Sequence, residues 1–68
     1  MEKDMIIRFS RIKKAAEEGN PDAQVALAEY YERGIVVKRD VHKYYLLLQK
    51  AAQGGSKMAE AMLGWGAW

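Results

Sequence analysis

Residues 14–55 read KAAEEGNPDAQVALAEYYERGIVVKRDVHKYYLLLQKAAQGG, and this stretch decides the fold. Two glycine stops, at Gly19 and at Gly54, each follow a Lys-Ala-Ala segment. Between them, apolar residues recur at helical spacing in two stripes, over residues 23–31 and 41–52. The pattern predicts a complete pair of α-helices.

The turn after the first glycine contains the signals that end one helix and begin the next. Gly19 readily adopts the left-handed conformation that ends a helix. Asn20 is a favourable N-cap, and Pro21 suits the first position of a helix because its fixed φ is already helical. We therefore predict a helix over about residues 21–33.

One further helix is predicted on each side of this pair. Upstream, apolar residues step by four, three and four positions, which predicts a helix over residues 4–18 with Asp4 as its N-cap. Downstream, Ser56 is predicted to cap a last helix that carries Met58, Ala59, Met62 and Leu63. The chain then contains four helices.

The third helix is predicted to be the most buried element. Asp40 caps it, Gly54 ends it, and its apolar face is wide enough to be covered on two sides. Residues 35–37 are Ile-Val-Val, which could form a short strand, but they have no second strand to pair with. We interpret them as a loop whose valines fill the core.

The sequence also repeats itself at an offset of 36 residues. The offset gives 7 identities in 32 overlapping positions, which come in the order of a cap, a helix end, a glycine stop, a small residue and a leucine. One two-helix unit therefore recurs about one and two-thirds times, fewer than the three or so repeats that usually make a stable array. The identities are Asp4/Asp40, Lys14/Lys50, Ala15/Ala51, Ala16/Ala52, Gly19/Gly55, Ala23/Ala59 and Leu27/Leu63.

This pattern resembles the Sel-one-like repeats, short α/α solenoid units related to tetratricopeptide repeats. About two-thirds of the chain carries the resemblance, with Ala28 and Val36 in place of family glycines and Leu47-Leu48 in place of an aromatic pair. The resemblance implies an all-α fold, a short α/α solenoid of four helices in a single domain over residues 1–68, and a scaffold for protein contacts without catalytic chemistry. The matching residues are Ala15-Ala16, Gly19, Ala23-Gln24, Leu27-Ala28, Tyr30-Tyr31, Gly34, Val36-Val37, Asp40, Lys43, Leu47-Leu48 and Lys50-Ala51-Ala52.

Length and composition narrow the functional classes. The chain has 68 residues and no cysteine, so we expect neither a disulfide nor a thiolate metal site, and a single histidine cannot build a metal shell alone. We expect no cofactor, no metal and no small-molecule substrate. No apolar run approaches 18 residues, and the first residues are acidic where a signal peptide needs bases, so we expect a cytoplasmic protein without a membrane partner.

Candidate catalytic residues do not form a reactive group, and we expect no enzyme. His42 lies off the apolar stripe of its helix without a nucleophile near it in the sequence. Glu17 and Glu18 are adjacent, so they point about 100° apart around a helix and cannot converge. Gly54-Gly55 lacks the spacing of a phosphate-binding loop.

Charge is distributed in blocks along the chain. Residues 1–14 carry a net charge of +3, residues 15–32 carry −5 and residues 33–68 carry +4. The basic side chains of the first helix permit a second hypothesis, a small nucleic-acid-associated regulator, although the acidic second helix should weaken attraction for phosphates. These side chains are Lys3, Arg8, Arg11 and Lys14.

Trp65 and Trp68 are the main candidates for a functional site. At the 36-residue offset they align with Glu29 and Glu32, which we place on the polar side of the second helix. The two rings lie on one helix face and together could bury roughly 400 Å². We predict that these four positions bind protein, while the alternative is that the last helix rotates and packs both rings onto its own core.

The favoured function is a protein-interaction module. We expect a small adaptor or inhibitor that binds another protein, or itself as a homodimer, through its helical-repeat surface. A steep dependence of binding on salt would instead favour the nucleic-acid hypothesis, because phosphate contacts release counterions.

Overall fold

Four α-helices make up the fold. The computed structural model describes residues 2–64, with α1 at Glu2–Glu17, α2 at Pro21–Arg33, α3 at Val41–Gln53 and α4 at Lys57–Leu63. No strand occurs in this range, so the predicted all-α class of four packed helices is confirmed. None of these four helices has the length and apolar character needed to cross a bilayer.

Three helices begin at the predicted N-caps. The side chains of Asn20, Asp40 and Ser56 each accept a hydrogen bond from the backbone N–H three residues later, at 3.2, 3.1 and 3.1 Å respectively. Each bond pairs one of the N–H groups that a helix leaves free at its start. The starts of α2, α3 and α4 are therefore fixed by local side-chain chemistry.

The predicted start of the first helix is wrong. α1 begins at Glu2, so Asp4 lies inside the helix and does not cap it. Glutamate and lysine are both good helix formers, so nothing at Glu2 or Lys3 prevents the helix from extending past Asp4.

The turns before α2 and α4 have nearly the same geometry. Gly19 and Gly55 have φ values of 96° and 98°, in the left-handed region that only glycine adopts readily. The N-caps that follow, Asn20 and Ser56, share φ −72° with ψ 113° and 112°. The 36-residue offset aligns these two turns.

α2 is the central helix among the described residues, and the prediction that the third helix is the most buried is wrong. α2 packs against both α1 and α3, while α4 packs against α3 and adds Ala59 to the core that α2 and α3 share. α3 keeps Val41, Tyr45 and Leu46 exposed and has three buried residues, whereas α2 has four. The core on the α3 side contains Val25, Ala28, Leu48, Ala51, Ala52 and Ala59, and the core on the α1 side contains Phe9, Ala16 and Leu27.

The loop between α2 and α3 fills the core with only one of its valines. Val37 packs against the cluster of Phe9 and Leu27, as predicted, but Val36 is 45% exposed and has a left-handed φ of 69°. The loop is held against α2 because the Asp40 N–H donates to the Tyr31 carbonyl at 2.9 Å.

The helices form an elongated stack of 41 × 22 × 16 Å. The radius of gyration is 11.9 Å, against about 11 Å for a compact domain of this length. A chain of this size that is drawn out in one direction keeps a large share of its apolar side chains near the surface.

Candidate functional site

A groove opens between α1 and α3. These two helices both pack on α2 and make little direct contact with each other, which leaves a space of about 420 Å³ between them. Its lining residues are Lys13 and Glu17 from α1, Leu27 and Tyr31 from α2, and Lys43, Leu46, Leu47, Gln49, Lys50 and Gln53 from α3.

The base of the groove is apolar. Leu27 is buried in the core on the α1 side, and Leu47 is half-buried and packs against the clusters on both sides of α2. Leu46 is 48% exposed, although it is a large aliphatic side chain. Burying a leucine side chain fully is favourable by about 1.5–3 kcal/mol, so the exposed part of Leu46 is surface that a partner could cover with a gain in free energy.

The rim of the groove is basic. Lys13, Lys43 and Lys50 are all exposed, and Glu17 is the single acid among the described lining residues. The Lys43 Nζ lies 5.2 Å from the centroid of the Tyr31 ring, within the range of a cation–π contact. Neither of the two ion pairs found within residues 2–64, Arg33–Glu29 and Lys57–Glu60, includes a rim lysine.

Local sequence fixes the orientation of the lysines of α3. The Asp40 carboxylate accepts from the backbone N–H of Lys43, which sets the first turn of the helix. Ala51 and Ala52 are buried against α2 and α4, so the preceding Lys50 points outward from the same turn. The Lys-Ala-Ala segment therefore places a cation at the edge of the groove.

The predicted site residues Glu29 and Glu32 do not line this groove. Glu29 is half-buried and pairs with Arg33 at 3.7 Å, and it borders a separate hollow of about 280 Å³ that includes Arg8 and Tyr30. Glu32 is half-buried beside Tyr44. Burial raises the pKa of the Tyr44 phenol above its ordinary value of 10.0, and the negative charge of Glu32 raises it further.

The other two predicted site residues, Trp65 and Trp68, lie outside the described residues. Their role as a protein-binding pair therefore stays a prediction. Just before them, α4 exposes Met58 at 62%, together with Met62. The helix that leads to the tryptophans thus presents apolar side chains to solvent.

A second apolar surface lies at the opposite end of the stack. Met5 and Ile6 of α1 are exposed and border a shallow space of about 260 Å³ with Ile35 and Val36. At the 36-residue offset, Ile6 aligns with His42, and both residues are exposed, so this position faces solvent in both units.

The remaining candidates are solvent-facing. His42, Glu17 and Glu18 are exposed. The basic residues of α1 are exposed as well. Arg8 and Arg11 border one shallow space together with Asp4 and Ile7.

The groove was not predicted from the sequence. Its rim combines lysines of α1 and α3 that come together only because both helices pack on α2. The available signal was Leu46, an aliphatic residue off the apolar stripe of its own helix. In the structure, Leu46 is 48% exposed and adds apolar surface to the groove.

The resemblance to Sel-one-like repeats rests on the sequence pattern alone. The chain matches no protein-family model, no curated protein and no solved structure.

Proposed function

We propose that this chain is a protein-interaction module that binds another protein, or a second copy of itself, through its helical surface. The observation that supports the proposal best is the groove between α1 and α3, with its apolar base and the exposed Leu46. A helical groove of this kind receives apolar side chains from a partner, and the surrounding polar groups orient them.

The distribution of exposed apolar residues supports the same proposal. Large apolar side chains are exposed at both ends of the stack, with Met5 and Ile6 at one end and Met58 and Met62 at the other. Scattered apolar residues are ordinary on a protein surface, but clusters at the ends of a helical stack are surfaces that a further helix can cover. A role as a small cytoplasmic adaptor or inhibitor without a reaction of its own fits such surfaces.

The test compares two variants that each replace an exposed apolar residue by glutamate. Leu46→Glu places a charge at the groove, and Val41→Glu places one at the exposed start of α3, outside the groove lining. Wild type and both variants, each checked for helical content by circular dichroism, serve as bait for affinity capture. We expect Leu46→Glu to lose the captured protein while Val41→Glu keeps it.

Two outcomes would contradict the proposal. If Leu46→Glu captures the same proteins as wild type, the groove is not the binding surface. If wild type captures nothing and also sediments as a monomer at high concentration, the chain is not an interaction module.

The nucleic-acid hypothesis remains the second candidate because Lys3, Arg8, Arg11 and Lys14 of α1 are exposed and belong to neither ion pair within residues 2–64. It predicts binding that weakens steeply with salt, with a slope that falls when Arg8 and Arg11 are both replaced by alanine. A protein partner bound in the groove predicts a salt dependence that the same double variant leaves unchanged, because Arg8 and Arg11 do not line the groove.

A further inference from the structure

We infer that the groove between α1 and α3 selects an acidic peptide segment, one whose apolar side chains enter the groove while its carboxylates meet the lysines on the rim. The inference rests on the proposed function and names the chemistry of the partner.

The rim of the groove carries a net positive charge. Three lysines and one glutamate line the groove, which leaves it with a formal excess of positive charge. The three lysines come from two helices, so their ammonium groups surround the groove and do not form a single row. A groove with one sign of charge and apolar walls attracts ligands of the opposite sign and rejects those of the same sign.

The acidic block of the chain, residues 15–32, leaves the positive charge of the rim largely unopposed. α2 lies at the base of the groove, but it contributes only the neutral residues Leu27 and Tyr31 to the lining. Among the acids of α2, Glu29 borders the hollow that includes Arg8 and Arg33, away from the rim lysines. Of the five acids in residues 15–32, only Glu17 lines the groove, so this block offsets just one of the three positive charges.

The base of the groove is apolar, and the groove has room for a few side chains. A space of about 420 Å³ lies within the roughly 300–1,000 Å³ of sites that enclose a small ligand, so it suits a few side chains of a peptide and not a whole domain. Leu46 and Leu47 offer aliphatic contact beside the Tyr31 ring. A ligand with carboxylates alone would leave this surface uncovered, which is why the inferred segment carries apolar residues as well.

The probe is a synthetic peptide in which leucines alternate with pairs of glutamates. Two matched peptides replace every glutamate by glutamine or by lysine. Binding is followed on the full ¹⁵N-labelled chain by backbone amide shifts. We expect the acidic peptide to bind about tenfold or more tightly than the glutamine peptide at low salt, with shifts confined to the lining helices, and the lysine peptide not to bind.

A pair of double variants tests the role of the rim. Lys13→Glu with Lys50→Glu reverses two rim charges, whereas Lys3→Glu with Lys38→Glu makes the same change in net charge at exposed positions that do not line the groove. We expect the rim variant to lose affinity for the acidic peptide by about tenfold or more and the control to keep most of it.

The outcomes separate this inference from the proposed function. Equal binding of the acidic and glutamine peptides overturns the charge selection and leaves groove binding intact. Failure of all three peptides also overturns the inference, whereas the proposed function is decided by the Leu46→Glu capture experiment. If a single-stranded oligonucleotide binds more tightly than the acidic peptide and loses affinity in the rim variant, the lysines serve nucleic acid and the inference is wrong.

Discussion

Val36 carries strain that a single substitution should relieve. Its φ of 69° places a β-branched residue in the left-handed region, which costs roughly 1–2 kcal/mol for a residue other than glycine. Val36→Gly removes this cost, although glycine adds about 0.5–1 kcal/mol of chain entropy in the unfolded state. The side chain is 45% exposed, so little burial is lost. We expect the free energy of unfolding, measured by urea denaturation, to rise by about 0.5–1 kcal/mol.

The control for this substitution is Lys38→Gly, at an exposed loop position without a left-handed φ. There glycine brings only its entropy cost, so the variant should be slightly less stable than wild type. A Val36→Gly protein that loses stability as much as Lys38→Gly would show that Val36 is not strained.

Tyr44 should make stability depend on alkaline pH. Its pKa is raised in the folded protein by burial and by the charge of Glu32, so the folded state holds the phenolic proton more tightly than the unfolded state. This contribution is complete below pH 10 and is lost as the pH rises through the folded pKa. Urea midpoints measured from pH 8 to pH 11 should therefore fall less steeply in Tyr44→Phe than in wild type. Parallel curves would mean that Tyr44 titrates normally.

Some features of single residues could be predicted from the sequence, and others could not. Asn20, Asp40 and Ser56 were predictable because a cap depends on a side chain and the N–H three residues away. Asp4 was wrongly predicted to be an N-cap because an aspartate inside a helix looks the same in the sequence as an aspartate at its start. The left-handed Val36 runs against the preference of its residue type, and only the packing of the loop around it reveals the conformation.

At the scale of the elements, the cap of α3 is expected to stabilise the molecule without taking part in binding. Asp40→Ala removes the acceptor of the Lys43 N–H and should cost about 0.5–2 kcal/mol in urea unfolding. Asp4→Ala is the matched control, because Asp4 lies inside α1 and caps nothing, so its loss should cost a few tenths of a kcal/mol.

Two results would contradict this role. Equal costs for Asp40→Ala and Asp4→Ala would show that the cap bond contributes no stability. Loss of peptide binding by a fully folded Asp40→Ala protein would place Asp40 in the binding site instead.

The arrangement of the elements explains why the binding groove was harder to predict than the helices. The helices could be predicted from the spacing of their apolar residues and from the glycines at their ends, because both signals are local in the sequence. The rim lysines Lys13 and Lys43 lie on different helices, and their proximity depends on how both helices sit on α2. Sequence periodicity does not contain that information.

For the whole molecule, we predict association that depends on Trp65 and Trp68. The chain is short for an independent core, and its α4 end exposes Met58 and Met62 just before the two tryptophans. The double change Trp65→Glu and Trp68→Glu gives these positions the residues found at Glu29 and Glu32. Sedimentation equilibrium should show self-association, or complex formation with the captured partner, in wild type and its loss in the variant, with unchanged helical content by circular dichroism.

The alternative role of the two rings leads to a different result. If the double variant unfolds while wild type remains monomeric at high concentration, the tryptophans belong to the core of their own chain. The association hypothesis would then be wrong.

The small amount of direct packing between α1 and α3 has a consequence for how the molecule opens. Each helix packs mainly on its neighbours in the chain, so α4 can detach without disturbing the contact of α1 with α2. Native-state hydrogen exchange should therefore be slowest in α2 and the adjoining turns of α3, and faster toward both ends. A ligand in the groove would touch α1 and α3 at once and add to the little direct contact that these two helices make. Binding should then slow exchange in both helices together, so that two regions that open independently in the free protein open as one.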